Sequence, residues 1–111
     1  MLKPETRRMV ERHTDDLLQA FAAPLAARFG RSIETIRAEG LKAIDFHTNE
    51  GIELTLPDGS TMSFHYAFFV KDDEQRIVGV FTEHCGYHCF GMADLEVREL
   101  RDGAEAARHR W

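Results

Sequence analysis

The side chains best suited to chemistry are gathered in Phe81-Thr82-Glu83-His84-Cys85-Gly86-Tyr87-His88-Cys89-Phe90. His84, Cys85, His88 and Cys89 are all ligand types for a soft or borderline metal. Cys85-Gly86 reads as a tight two-residue turn, which would pair His84 with Tyr87 and Glu83 with His88. Neighbours on a strand point to opposite faces, so this segment alone does not bring four ligands together. It also lacks the Cys-x-x-Cys spacing of structural zinc sites. A better constellation takes one sheet face from several strands: His65, Glu83 and His88, with His47 and Glu53 nearby. Such a set would hold zinc and leave a position open for water, the design of a metal-dependent hydrolase. The competing expectation is no cofactor at all. The same residues then form a solvated polar face with cross-strand pairs such as Glu53 with His47, worth roughly a few tenths of a kcal/mol each.

Thiol catalysis would need Cys85 or Cys89 beside an activating base such as His84 or His88. No thiol-enzyme motif surrounds them, and small cysteines filling the core are expected instead. The chain also has no phosphate-cradling glycine loop, dinucleotide fingerprint or nucleophile-elbow serine. Asp58-Gly59 and Asn49 to Gly51 are turn chemistry.

The elements that must carry these residues divide at about residue 40. Pro4 suits a first helical position, and Val10, Leu17, Phe21 and Leu25 recur at spacings of seven and four, the stripe of an amphipathic helix. Pro24 kinks that helix or starts a new one at Leu25, and Thr14-Asp15-Asp16 would cap a second. Phe29-Gly30 is an end signal. Ser32 to Glu39 forms one more short helix, stopped by Gly40, or a strand using Ile33 and Ile36.

From Leu41 the apolar period changes to two. Ile44 and Phe46 form one set; Ile52, Leu54 and Leu56 a second; Met62, Phe64, Tyr66, Phe68 and Val70 a third. Leu56-Pro57-Asp58-Gly59-Ser60 suits a type I turn with a glycine bulge, pairing Leu54 with Met62 and Ile52 with Phe64. Thr48-Asn49-Glu50-Gly51-Ile52 reads the same way and pairs Phe46 with Leu54 and Ile44 with Leu56. A third hairpin turns through Lys71-Asp72-Asp73-Glu74-Gln75. Leu95 and Val97 mark a last strand, and a polar tail follows Arg101-Asp102-Gly103. The expected fold is α+β and a single domain over residues 1–111. It has a helical region at 1–40, an antiparallel meander sheet of about five to six strands at 41–100, and a tail at 101–111.

One sheet face, with Phe46, Leu54, Phe64 and Tyr66, is expected to take the N-terminal helix. The opposite face then carries an apolar zone of Ala67, Phe69, Ile77 and Phe81, which an open face in water would not normally expose. Three coverings compete: the chain's own C-terminus with Trp111 as a lid, a second copy of the chain, or a different protein.

The segment at 81–88, with Leu56-Pro57-Asp58-Gly59-Ser60 and Phe64-His65-Tyr66-Ala67-Phe68 upstream, resembles small uncharacterised proteins of phages and prophages over about residues 52–90. That resemblance implies a stand-alone accessory protein that binds and blocks a host component. It transfers no catalytic or binding residue.

Bulk properties narrow the classes further. The 111 residues carry a net charge of −5, with 43% hydrophobic and 30% charged residues. General nucleic-acid binding is not expected of so acidic a chain. No apolar run reaches the length of a membrane span, and Met1-Leu2-Lys3-Pro4-Glu5 does not start a signal peptide. With only Cys85 and Cys89, reduced thiols and a cytoplasmic location are expected. The expected function is a non-enzymatic binding module. It engages a protein partner or itself through Ala67, Phe69, Ile77 and Phe81, with the acidic turn Asp72, Asp73 and Glu74. The alternative is a metal-binding protein or hydrolase at His65, Glu83 and His88.

Overall fold

The computed structural model describes residues 14–111; the expectations for Pro4, Val10 and His13 lie outside them. Helices α1 (Thr14–Ala20), α2 (Ala22–Phe29) and α3 (Ile33–Glu39) precede seven strands, so the architecture is α+β. Pro24 falls in the first turn of α2, where its missing N–H costs no helical bond. Gly30 ends α2 with φ 62°. Ser32 caps α3, its Oγ accepting from the Thr35 N–H at 3.1 Å, and Gly40 ends it. The sequence signals for these three boundaries are borne out.

The strands are β1 (Gly51–Thr55), β2 (Thr61–His65), β3 (Ala67–Asp72), β4 (Ile77–Thr82), β5 (Tyr87–Gly91), β6 (Glu96–Arg101) and β7 (Ala104–Arg110). They form two antiparallel sheets rather than one: sheet A in the order β2-β1-β6-β7 and sheet B in the order β3-β4-β5. The β1–β2 register is the one the Pro57-Asp58-Gly59 turn requires, with Ile52 opposite Phe64 and Leu54 opposite Met62. Gly59 takes φ 88° in that turn.

The expected strand at 41–47 is absent. Gly40–Ala43 and Phe46–Thr48 are 3₁₀ turns, and Val97 of β6, not Phe46, lies opposite Leu54. Local hydrogen bonding explains the difference. The Asp45 carboxylate accepts from the His47 N–H at 3.0 Å, and the Thr48 hydroxyl donates to the Asp45 carbonyl at 3.0 Å. Such side-chain bonds close a turn in place of a ladder. Nor is there a C-terminal tail: β7 pairs along β6 through a two-residue Asp102-Gly103 turn with φ 53° and 76°. Positive φ at both positions marks the turn that matches strand twist.

Sheet B lies between the helices and sheet A. On its helix side, Phe68, Val70, Phe81 and Tyr87 pack with Leu18, Phe21, Leu25 and Ile36. On its other side, Ala67, Val78 and Val80 pack with Ile52, Leu54, Phe64 and Val97 of sheet A. Strands β3 and β4 are paired one residue out of the expected faces: the helices cover Ile77 and Phe81 of the expected outer set together with Phe68 and Val70 of the expected core set, while Ala67 and Phe69, with Leu54 and Phe64, lie between the two sheets. The change of sheet occurs at Tyr66, whose φ of 50° breaks the alternation between β2 and β3. A continuous strand through Tyr66 is thus corrected to two strands in different layers. Phe68 and Phe81, both fully buried, contribute about 1.5–3 kcal/mol each by leaving water.

Candidate functional site

Glu83 begins the loop after β4 and is faced by two imidazoles. Its Oε2 lies 2.8 Å from His47 Nε2 and its Oε1 3.8 Å from His84 Nε2. The 3₁₀ turn capped by Asp45 presents His47, whose ring lies 4.7 Å from that of Tyr66. The Glu83 N–H donates to the Tyr66 carbonyl at 3.2 Å, tying the loop to the sheet crossing. The positive φ at Tyr66 is a strained conformation for a bulky residue, and its side chain is 43% exposed.

The predicted ligands His65, Glu83 and His88 separate. His65 is exposed at the end of β2. Glu83 is taken by His47. His88 lies opposite Val80 rather than Glu83 and is buried, its ring 4.7 Å from Phe64. The turn is longer than Cys85-Gly86 because the Thr82 hydroxyl donates to the Gly86 carbonyl at 2.9 Å and accepts from the Cys85 N–H at 2.7 Å. A register displaced by three residues moves His88 to the other face. Among the described residues no three His, Cys, Asp or Glu side chains form a metal-holding group. Glu53 pairs with Arg98, not His47.

His88 Nε2 is 2.7 Å from the Cys85 carbonyl, an oxygen that only accepts, so Nε2 carries the proton. Nδ1 is then a buried acceptor without a hydrogen-bond partner among the described residues. Burial lowers the His88 pKa, and the bond to Cys85 offsets part of that shift. Both cysteines are free and exposed, correcting the expectation that they fill the core. Partial desolvation pushes the Cys89 thiol up, away from thiolate chemistry.

The expected interface residues are mostly interior. Ala67 and Phe81 are fully buried, and Ile77 is half-buried against the helices. Phe69 is half-buried with Trp111 at 6.0 Å and His109 at 4.8 Å. In the acidic turn, Asp72 accepts from the Gln75 N–H and side-chain amide at 3.0 and 3.1 Å, and Asp73 pairs with Lys71 at 3.3 Å. Glu74 is exposed.

Two features had no sequence prediction. Asn49, 1% exposed, donates to Glu99 at 3.3 Å and to the Ala67 carbonyl at 3.4 Å, and accepts from Arg101 at 2.8 Å; His109 meets Glu99 at 3.2 Å. This network joins sheet A to the first residue of β3. The second is the outer face of sheet A, where Arg98, Arg108 and Arg110 interleave with Glu53, Glu96 and Glu105. At one end of that sheet a cleft of about 390 Å³ opens over Gly51, bordered by Leu100, Glu50, Ser63 and His65; Ile52 and Phe64 also border it, but their side chains are buried between the sheets. A Cβ on Gly51 would meet the Phe64 carbonyl at 3.1 Å, so the glycine keeps the cleft floor low. The Asp-Gly pair at 102–103 was the sequence signal for β7 and so for this face.

No family model, curated protein or solved structure matches the chain. Among the described residues no helix is long and apolar enough to cross a membrane.

Proposed function

We propose that this chain is a small non-enzymatic binding module that engages a protein partner or a second copy of itself through the outer face of sheet A. The observation that carries the reading is the cleft over Gly51, where Leu100 and His65 stand on either side of a glycine on a sheet that the helices leave uncovered. This relocates the binding surface from Phe69 and Phe81, which are used in packing, to residues one sheet further out. A charged face with a small apolar depression fits a protein surface, where a few apolar anchors inside a polar rim supply most of the energy. The net charge of −5 favours a protein partner over nucleic acid. The resemblance to small phage and prophage proteins supports an accessory, blocking role in a reducing cytoplasm. Metal-dependent hydrolysis has less support, because Glu83 meets His47 and His84 while His65 and His88 lie elsewhere.

The test uses Leu100→Asp, which charges the cleft from outside the two cores. Chains retained by the immobilised protein are purified and rebound to wild type and variant, alongside self-association by sedimentation. A loss of tenfold or more in affinity with an unchanged circular dichroism spectrum is expected. Unchanged binding, or a wild type that binds neither itself nor any chain, overturns the reading.

A further inference from the structure

Sheet A ends in β2 on one side and β7 on the other, and the two edges are built differently. Strand β7 carries Glu105, Arg108 and Arg110, and its pairing shifts register at Glu99/Leu100. Charge and irregularity are the devices that deter a further strand. Strand β2, Thr61-Met62-Ser63-Phe64-His65, holds no Asp, Glu, Lys, Arg or Pro and pairs in unbroken register with β1. In sheet B, the Ala67 carbonyl of edge strand β3 is occupied by Asn49, and β5 lies against α1.

Ladder parity shows which backbone groups of β2 are available. The Leu56 N–H donates to the Ser60 carbonyl at 2.8 Å, and the Tyr66 N–H to the Glu50 carbonyl at 2.9 Å. Counting by twos between them, Met62 and Phe64 turn their backbone groups toward β1. Thr61, Ser63 and His65 turn theirs outward, where no described strand pairs with them.

The geometry points to a second copy of this chain as the occupant of that edge, paired antiparallel through β2 about a two-fold axis at Ser63. The inference rests on the binding-module reading and names its partner. With Ser63 opposite Ser63, Thr61 falls opposite His65 on both sides of the axis. The three aligned pairs exchange about six backbone hydrogen bonds. The side chains are self-complementary. Ser63 meets its own counterpart and Thr61 meets His65 on the outer face, while Met62 and Phe64 meet on the inner face and bring the two cores side by side. No like charges face each other across the junction. A charged foreign strand would find no opposite charge on this edge, whereas a copy meets neutral hydrogen-bonding pairs throughout. The two four-stranded sheets would become one continuous sheet, with both clefts over Gly51 beside the junction. A junction of one short strand is small, so association is weak and depends on concentration.

Sedimentation of the full chain between micromolar and millimolar concentration tests this. The mass is expected to rise from 12.7 kDa toward twice that value. Ser63→Lys, which opposes two charges at the axis, should hold the chain monomeric with its fold intact, and Ser63→Ala should still associate. If Ser63→Lys does not fold, amide exchange in the wild type decides. Protection at Thr61, Ser63 and His65 should rise with concentration while Met62 and Phe64 stay constant. A wild type that remains at 12.7 kDa, a folded Ser63→Lys that associates as wild type does, or concentration-independent exchange at Ser63 overturns the self-pairing. A monomeric wild type that still binds a foreign chain through Leu100 would leave the binding-module reading standing.

Discussion

His88 shows how one side chain acquires a consequence from its surroundings. Its Nε2 proton goes to the Cys85 carbonyl, its ring faces Phe64, and its Nδ1 is a buried acceptor with no described partner. Protonating Nδ1 would put a charge into that apolar layer, and burial accordingly lowers the pKa below the ordinary 6.5. The folded chain therefore binds this proton less readily than the unfolded one. Stability is full above about pH 6.5 and falls as pH drops from there toward the folded-state pKa. Thermal melts between pH 7.5 and 5 should show this loss in the wild type and a smaller loss in His88→Phe, which keeps the ring and removes the titration. Identical pH slopes would refute the assignment. Nothing in the composition of the His/Cys segment distinguished this buried histidine from its exposed neighbour His84. Burial depends on which strand residue lies opposite, and that was decided by the Thr82 hydroxyl lengthening the turn.

Between elements, the helices meet sheet B at a point where no side chain fits. A Cβ on Gly79 of β4 would lie 2.9 Å from both the Phe21 and Phe81 rings. Those rings stand edge to face at 5.9 Å, and Phe81 stacks on Phe68 at 5.6 Å. Gly79→Ala must push α2 and β4 apart, and overpacking of this kind costs about 1–3 kcal/mol. Denaturant unfolding should show that loss with an unchanged slope; a loss under half a kcal/mol would mean the rings move freely. The helix caps, the β1–β2 turn and the acidic β3–β4 hairpin were legible in the sequence, because each is set by residues within a few positions of one another. The helix-facing side of sheet B was not. Val78 with Val80 and Ile77 with Phe81 are two apolar sets on opposite faces of one strand, a pattern that marks burial on both sides but does not say which layer lies on which.

At the scale of the whole molecule, β7 binds the layers together. It completes sheet A beside β6, brings Trp111 and His109 onto Phe69 of sheet B, and places His109 against the buried Glu99. Deleting residues 104–111 would strip the edge of β6, expose Phe69 and leave the carboxylate of Glu99 short of a partner. The truncated chain is expected to lose its near-ultraviolet dichroism and cooperative melting; a sharp transition near the wild-type temperature would show the strand to be dispensable. By itself the sequence determined an α+β order of short helices followed by antiparallel hairpins, the Pro57-Asp58-Gly59 turn, and the register of β1 with β2. Those follow from backbone preferences and side-chain period, which act over a few residues. Only the tertiary structure decided that Tyr66 sends the chain into a second sheet, that β6 rather than the 41–47 segment lies beside β1, and that the outer face of sheet A, not Phe81, meets solvent. Each of those choices depends on which of several equally apolar faces finds a partner, and that competition is settled by the packing of the whole chain.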